Sequence, residues 1–539
     1  MCGILGVFEK GELDIQKIQQ LSKRMRHRGP DMQDFQVNAS RTGIITHERL
    51  AIIDLENGKQ PIQGSSTAYV VHNGEIYNHM LLKQNELKDV EFRTNCDSEV
   101  IVKLYEKFGH DICNKLDGVF GFIIMDEDKY MVARDPIGIK PLYYGKDQSG
   151  AYYFASEMKV IEDQVEDLLA FPPGHYFTVE TGFVKYYQPD WEDYTVCNDK
   201  LELDKLKDAL IEATRKRLMS DVPLGVLFSG GLDSSLISSI TARMLKEQGK
   251  KLHSFSVGID ENAPDVIAAK KVAKFIGTEH HTINFTFEEG LKIINKLIWH
   301  LETYDITSIR ASTPMYIMSK YITEIGIKVV LSGEGSDEIF GGYLYFHNAP
   351  SDVEFQKETI RRVQLLSTAD CLRADKSTMA WALEARVPFL DRHFLDVAMK
   401  IDPTYKRPDL HSGKMEKYII RKAFDDLENP WLPNDILWRQ KEQFSDGVGY
   451  SWIDQLVEYC AKQVTDEEMN KAESLFPINT PTTKEAMYMR KIFHSHFPTV
   501  AAAETVKKWV PKWQENEDPS GRASNIHEKT VEINELTIS

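Results

Sequence analysis

The chain has 539 residues, 42% of them hydrophobic, and carries 65 Lys and Arg against 82 Asp and Glu, a formal charge of −17. That length predicts about three domain-sized units or two large ones, with enough apolar residues for substantial cores. The acidic balance argues against a general nucleic-acid or membrane-surface binder.

Six cysteines, Cys2, Cys96, Cys113, Cys197, Cys371 and Cys460, make no Cys-x-x-Cys pair and no zinc-like spacing. In so long a chain they are no disulfide framework, which points to a reducing compartment. The first apolar run is short and followed by Glu9 and Glu12, unlike a signal peptide. No uninterrupted apolar run is long enough to span a bilayer. A soluble, cytoplasmic protein is expected, with small-molecule partners rather than nucleic acid or membrane; a homodimer stays open.

The chain begins Met1-Cys2-Gly3. Cysteine is small enough for the initiator methionine to be removed, which would give Cys2 a thiol and a free α-amine. That amine titrates at about 7.7–8.0 and can take the thiol proton, directly or through a water. A helical pattern at Ile15, Ile18 and Leu21 precedes strand-like runs at Thr42–Thr46, Ala68–His72, Gly118–Met125, Tyr130–Arg134, Pro141–Tyr144 and Tyr152–Ser156. A further helix is expected at Val100–Phe108. Many strands and few helices predict a sheet-rich α+β domain. A basic run, Lys23 to Arg28, reads as a solvated helix end and loop.

Polar residues cluster in the same half. Arg49 precedes the strand-like Leu50-Ala51-Ile52-Ile53, Asn73-Gly74-Glu75 follows the Tyr69–His72 run, and Asp97 stands before a helix. Arginine offers a planar fork for a carboxylate, and aspartate an anchor for an ammonium. An asparagine amide and a following glycine N–H can hold an oxyanion. Together they would hold an α-amino acid while a thiolate attacks its side-chain amide. Singly, each also fits a surface ion pair, a turn or a helix N-cap.

Cys2-Gly3-Ile4, His27-Arg28-Gly29-Pro30-Asp31, Arg49-Leu50, Asn73 to Asn78, Leu116 to Phe120 and Arg134 to Leu142 resemble the class II glutamine amidotransferase domain. The resemblance implies a four-layer αββα sandwich of the N-terminal-nucleophile type over residues 2–190. It makes Cys2 the nucleophile, Asn73 and Gly74 the oxyanion holders, and Arg49, Leu50, Ala51, Ile52, Ile53, Asn73, Gly74, Glu75 and Asp97 the glutamine site. One departure is small: the family often has a cysteine directly after the aspartate, whereas here Cys96 precedes Asp97.

Residues 188–200 are polar without a clear period and mark the boundary. Leu203, Leu206, Leu210, Ala213 and Leu218 then predict an amphipathic helix. Gly225-Val226-Leu227-Phe228 reads as a buried strand, Ser229-Gly230-Gly231-Leu232-Asp233-Ser234-Ser235 as a tight glycine turn opening a helix, a phosphate-friendly arrangement. It is not a Walker loop, because no Gly-Lys pair is followed by Ser or Thr. Strands at Leu252–Ile259 and Ile327–Leu331 follow, the latter running into Ser332-Gly333-Glu334-Gly335-Ser336-Asp337. Strand and helix alternating predicts a parallel α/β sheet with ligands at the strands' carboxyl ends. Asp233 and Asp337 could share a magnesium ion on nucleotide phosphates, or be ordinary first-turn helix residues.

The Ser229–Ser235 loop resembles the pyrophosphate loop of N-type ATP pyrophosphatases, which adenylate a carboxylate. With Glu384 to Asp391, Gly413 to Lys417 and Arg439 to Gly449, the whole resembles the family of glutamine-hydrolysing asparagine synthetases, an ATP-dependent synthetase domain over 200–511. The resemblance implies MgATP as substrate, with Leu227, Ser229, Gly230, Gly231, Asp233, Ser234, Val257, Ser332 and Gly333 at the nucleotide. It puts Glu334 beside a β-aspartyl-adenylate, Thr307, Arg310 and Lys441 on the departing pyrophosphate, and Asp370 with Arg373 on aspartate. Asp370 and Arg373 also fit a plain i,i+3 helix salt bridge. Amidation of another carboxylate, or a non-catalytic glutamine or ATP sensor, are the competing readings. Residues 512–539 read as a loose polar tail.

Overall fold

The computed structural model describes residues 2–9, 11–409, 412–440 and 450–514. In the first half, two six-stranded antiparallel sheets stack face to face. One runs, in spatial order, Leu169–Ala170, Tyr143–Lys146, Tyr152–Ala155, Gly3–Phe8, Gly43–Arg49, Met32–Val37. The other runs Gly182–Lys185, His175–Thr178, Lys129–Arg134, Gly118–Asp126, Ala68–Ile76, Ile62–Gln63. Ile4 and Ile45 from the first sheet meet Val71 and Ile123 from the second in one buried cluster. Strand alternation puts these side chains on the shared faces. Helix Ile15–Lys23, capped by the Asp14 carboxylate, lays Ile18 and Leu21 on the first sheet. Helix Glu99–Phe108 lays Val100, Ile101 and Leu104 against the second. This is the expected αββα sandwich.

The second half is built on a five-stranded parallel sheet, in the order Glu279–Asn284, His253–Gly258, Leu224–Leu227, Val329–Leu331, Glu384–Arg386. The chain winds outward on one side of Leu224–Leu227 and then returns to the other. The connections after Leu227 and Leu331 therefore lead to opposite sides of the sheet, and a crevice opens at these neighbouring carboxyl ends.

Several expectations need correction. Leu50–Ile53 is a loop, not a strand. Its backbone serves other partners: Ala51 N–H donates to Asp31, and the Ile52 carbonyl accepts from Asp221 N–H. The Ala68–His72 strand continues to Ile76, so Asn73, Gly74 and Glu75 lie in it, opposite Gly121, Phe120 and Val119. The basic run is not all solvated. Arg28 is fully buried. Within the polar stretch 188–200, Trp191 and Cys197 are buried and join the second half's core. The edge strands Met32–Val37, Glu279–Asn284 and Glu384–Arg386 carry polar sequences that hid them. Trp513 packs beside Tyr345 and Phe346, so the chain is still anchored at the second residue of the supposed tail; residues from 515 on lie outside the described ones. No helix among the described residues is long and apolar enough to cross a membrane.

Candidate active sites

Cys2 opens the central strand of the first sheet and is 7% exposed. Its N–H donates to Asn73 Oδ1 at 3.0 Å, across the gap between the two sheets. Its Sγ lies 3.9 Å from the Leu50 carbonyl. Burial pushes the thiol up from its ordinary value. Asn73 Nδ2 is buried without a hydrogen-bond partner. An unpaired buried donor is costly, and a donor kept waiting beside a nucleophile is what an oxyanion hole requires. Gly74 follows it because a Cβ there would stand 1.9 Å from the Val119 carbonyl oxygen.

Arg49 is positioned by main chain: it donates to the Asp54 carbonyl at 2.8 Å and the Leu55 carbonyl at 3.1 Å. Asp97 is not a helix cap here. Its Oδ2 accepts from Ile76 N–H at 2.7 Å, tying it to the Asn73 strand, and Cys96 Sγ reaches its Oδ1 at 3.5 Å. The displaced cysteine thus still touches the carboxylate. Glu75 turns toward the second half, where Arg386 meets it at 3.1 Å. Burial first, then Glu384, pushes the Glu75 carboxyl well above the usual range.

The second site is an open cleft at the crevice of the parallel sheet, with a cavity volume of about 120 Å³. It is lined by Leu227, Ser229, Asp233 and Ser234 from one loop and by Ser332, Gly333, Glu334 and Asp337 from the other. Val257, Thr307, Asp370 and Arg373 close its sides. Gly230 has φ of +72°, and a Cβ there would sit 2.5 Å from Ala269 N. A Cβ at Gly333 would sit 2.7 Å from Ser234 N, so the two loops touch through glycine. Gly231 gives way to the Leu232–Glu247 helix, whose first turn holds Asp233.

Charges in this cleft neutralise one another. Lys417 Nζ stands 2.5 Å from Asp233 Oδ2 and 2.6 Å from Asp337 Oδ1. Arg373 bridges Asp370 at 2.7 Å and Glu334 at 3.0 Å, so the i,i+3 salt bridge and the cleft residue are the same pair. Its guanidinium is held firmly protonated: burial opposes this, but Glu334 and Asp370 prevail. Arg310 is buried and forks onto Glu485 at 2.9 and 2.5 Å, beside the cleft rather than inside it. Lys441 lies outside the described residues.

The sequence reading gave no role to Lys417 or Arg386, though both stand in the quoted motifs. In sequence each was one cation in a charged stretch: Lys417's partners Asp233 and Asp337 stand 184 and 80 positions away, and Arg386's partner Glu75 stands 311 away. Arg386 joins the halves, binding Glu75 and Glu384. Arg28 does the same: its Nε donates to the Cys2 carbonyl at 3.0 Å and its NH1 reaches Asp375 at 2.8 Å.

Comparison with known proteins agrees with this division. A glutamine amidotransferase domain model matches residues 1–184, and an asparagine synthase model matches 205–357 and 348–517. A probable glutamine-hydrolysing asparagine synthetase of Dictyostelium discoideum is 49% identical over 99% of this chain and 100% of its own. A glutamine-hydrolysing asparagine synthetase of Zea mays is 48% identical, covering 98% of this chain and 94% of its own. One from Arabidopsis thaliana is also 48% identical, over 97% and 94%.

Proposed function

The chain belongs to the glutamine-hydrolysing asparagine synthetases, and on that premise we propose that it makes asparagine from aspartate, with nitrogen from glutamine and energy from ATP. With Met1 removed, the Cys2 nitrogen becomes a free amine already held by Asn73 Oδ1. The amine takes the thiol proton as Sγ attacks the glutamine side-chain carbonyl. Asn73 Nδ2 and the Gly74 N–H then receive the oxyanion, and collapse releases ammonia and a thioester that water cleaves to glutamate. Arg49 and Asp97 bind the substrate's carboxylate and ammonium.

In the cleft, the two glycine loops cradle the phosphates while the aspartate side-chain carboxylate attacks the α-phosphorus. Pyrophosphate leaves and β-aspartyl-AMP forms. Thr307 and Lys441 are assigned to the departing pyrophosphate, Asp370 and Arg373 to aspartate, and Glu334 to the adenylate; Arg310, forked onto Glu485 beside the cleft, takes no direct part. Ammonia attacks the acyl carbon and AMP leaves. Asp233 and Asp337 offer only oxygen donors and converge on one cation, Lys417, which suits a hard divalent ion. They would hold the magnesium that ATP brings, and its charge would offset that building on the phosphates. In water ammonia protonates and loses its nucleophilicity, so it travels inside the protein. Six free, buried cysteines fit a reducing, cytoplasmic setting.

One observation carries the coupled reading: Arg28 grips the nucleophile's own backbone with one nitrogen and the synthetase half with another. The test is asparagine formation with MgATP, aspartate and either glutamine or ammonium. The wild type is expected to use both, and Cys2→Ala ammonium alone. Equal glutamine use by the variant would remove Cys2 from the mechanism. ATP binding without AMP formation would favour a sensor.

A further inference from the structure

The edge of the parallel sheet holds a cluster that the reaction does not use. Successive strand residues point to opposite faces. His253 therefore shares one face with Glu279 and His281 of the neighbouring strand, and the register pairs His253 with Glu279 and Phe255 with His281. His280 points the other way and is taken up by Ser254 Oγ at 2.9 Å and Ser256 Oγ at 3.1 Å. On the first face, His253 Nδ1 and His281 Nε2 stand 3.2 Å apart. Glu279 Oε1 lies 3.9 Å from His253 Nδ1, and the ligand atoms of all three residues fall within 4.8 Å of one another.

Two nitrogens bound to zinc at about 2.0–2.1 Å and a tetrahedral angle stand roughly 3.3 Å apart. The observed pair already has that spacing. The His281 ring is fixed by stacking on Phe255, with centroids 4.9 Å apart, and its Nδ1 faces the Tyr321 hydroxyl at 3.5 Å. That leaves Nε2 for a ligand role, with the other ring nitrogen supported from outside, as metal-binding histidines commonly are. Glu279 is 53% exposed and free to swing the remaining distance, which also gives an ion a way in. Two imidazoles and one carboxylate suit borderline transition ions and not magnesium or calcium.

We propose that His253, Glu279 and His281 bind one zinc-class divalent ion, with solvent completing the shell. The site lies at the start of the strand whose far end carries Val257 at the ATP cleft, so it is separate from the magnesium that ATP brings. Binding takes the place of the hydrogen bond between the two facing nitrogens: His253 carries its proton on Nε2, the neutral tautomer that frees Nδ1, and His281 keeps its own on Nδ1 toward Tyr321. The ion ties the outermost strand to its neighbour.

The experiment is calorimetric titration of the full-length protein with zinc chloride in excess magnesium, on a Cys2→Ala background to remove the nucleophilic thiol. One equivalent is expected to bind, and zinc should raise the thermal midpoint. His253→Ala and His281→Ala should each weaken binding at least about tenfold and abolish the thermal gain. Glu279→Gln, at an exposed position, checks the site without disturbing packing and should weaken binding less. No zinc binding in excess magnesium, or titrations unchanged in all three variants, would overturn the site and leave a histidine–histidine hydrogen bond.

Discussion

The two active sites solve opposite problems. The first surrounds a neutral reaction partner. It is a seam between two stacked sheets, and its key groups are positioned by main chain: Asn73 by the Cys2 N–H, Arg49 by two carbonyls, Asp97 by the Ile76 N–H. The second must receive a polyanion and a dicarboxylate. It is an open cleft whose charges pair with one another: Lys417 between two aspartates, Arg373 between Asp370 and Glu334. Attack on an amide needs placement and a waiting donor. Joining two anions needs charge, and charge in a half-buried cleft must be compensated when no ligand is there.

That contrast can be broken most sharply at Asn73. Asn73→Ala removes the unpaired Nδ2 donor, so glutamine-dependent asparagine formation should fall by about 10²–10³, the usual effect of losing one oxyanion donor. Ammonium-dependent formation, measured in the same assay, should stay within about twofold. A parallel loss of both would mean that Asn73 holds the fold rather than the oxyanion.

The mirror experiment is Gly230→Ala. A side chain at φ +72° costs about 1–2 kcal/mol before the contact with Ala269 N is counted. ATP-dependent synthesis from either nitrogen source should drop about a hundredfold, equivalent to roughly 2.7 kcal/mol at 1.36 kcal/mol per tenfold. Glutamine hydrolysis alone should persist. Unchanged synthesis would show that the turn tolerates a side chain and that phosphate does not approach it closely.

The smallest effect sharpens the first site. Burial raises the Cys2 thiol, so in the free protein it is protonated at neutral pH and waits for a base. Alkylation of Cys2, followed by mass spectrometry, should then accelerate by close to tenfold per pH unit through neutrality, because only the thiolate reacts. A rate that levels off below pH 7 would show a thiolate stabilised by its surroundings.

Much of the sandwich was legible because its strands alternate and its turns carry glycine. The loop from Ser229 was legible because an apolar strand, two glycines and a helix follow in a row. The strand Glu384–Arg386 was not, since Glu and Arg in sequence read as surface, yet both are fully buried and paired with each other. Leu50–Ile53 misled for the converse reason: four apolar residues suggested a strand, but their backbone groups serve Asp31, Asp221 and the nucleophile instead of a ladder.

By itself, the sequence determined the two cores, the place of Cys2 at the head of a buried strand and both glycine loops, because these depend on residues adjacent in the chain. Only the tertiary structure decided which charges meet. Lys417 joins Asp233 across 184 positions, Arg28 joins Asp375 across 347, and His253 faces His281 across 28. Local periodicity fixes which face a side chain occupies. Its partner across the fold is fixed by strand order and by how the two halves dock, and neither is written in the spacing of neighbouring residues.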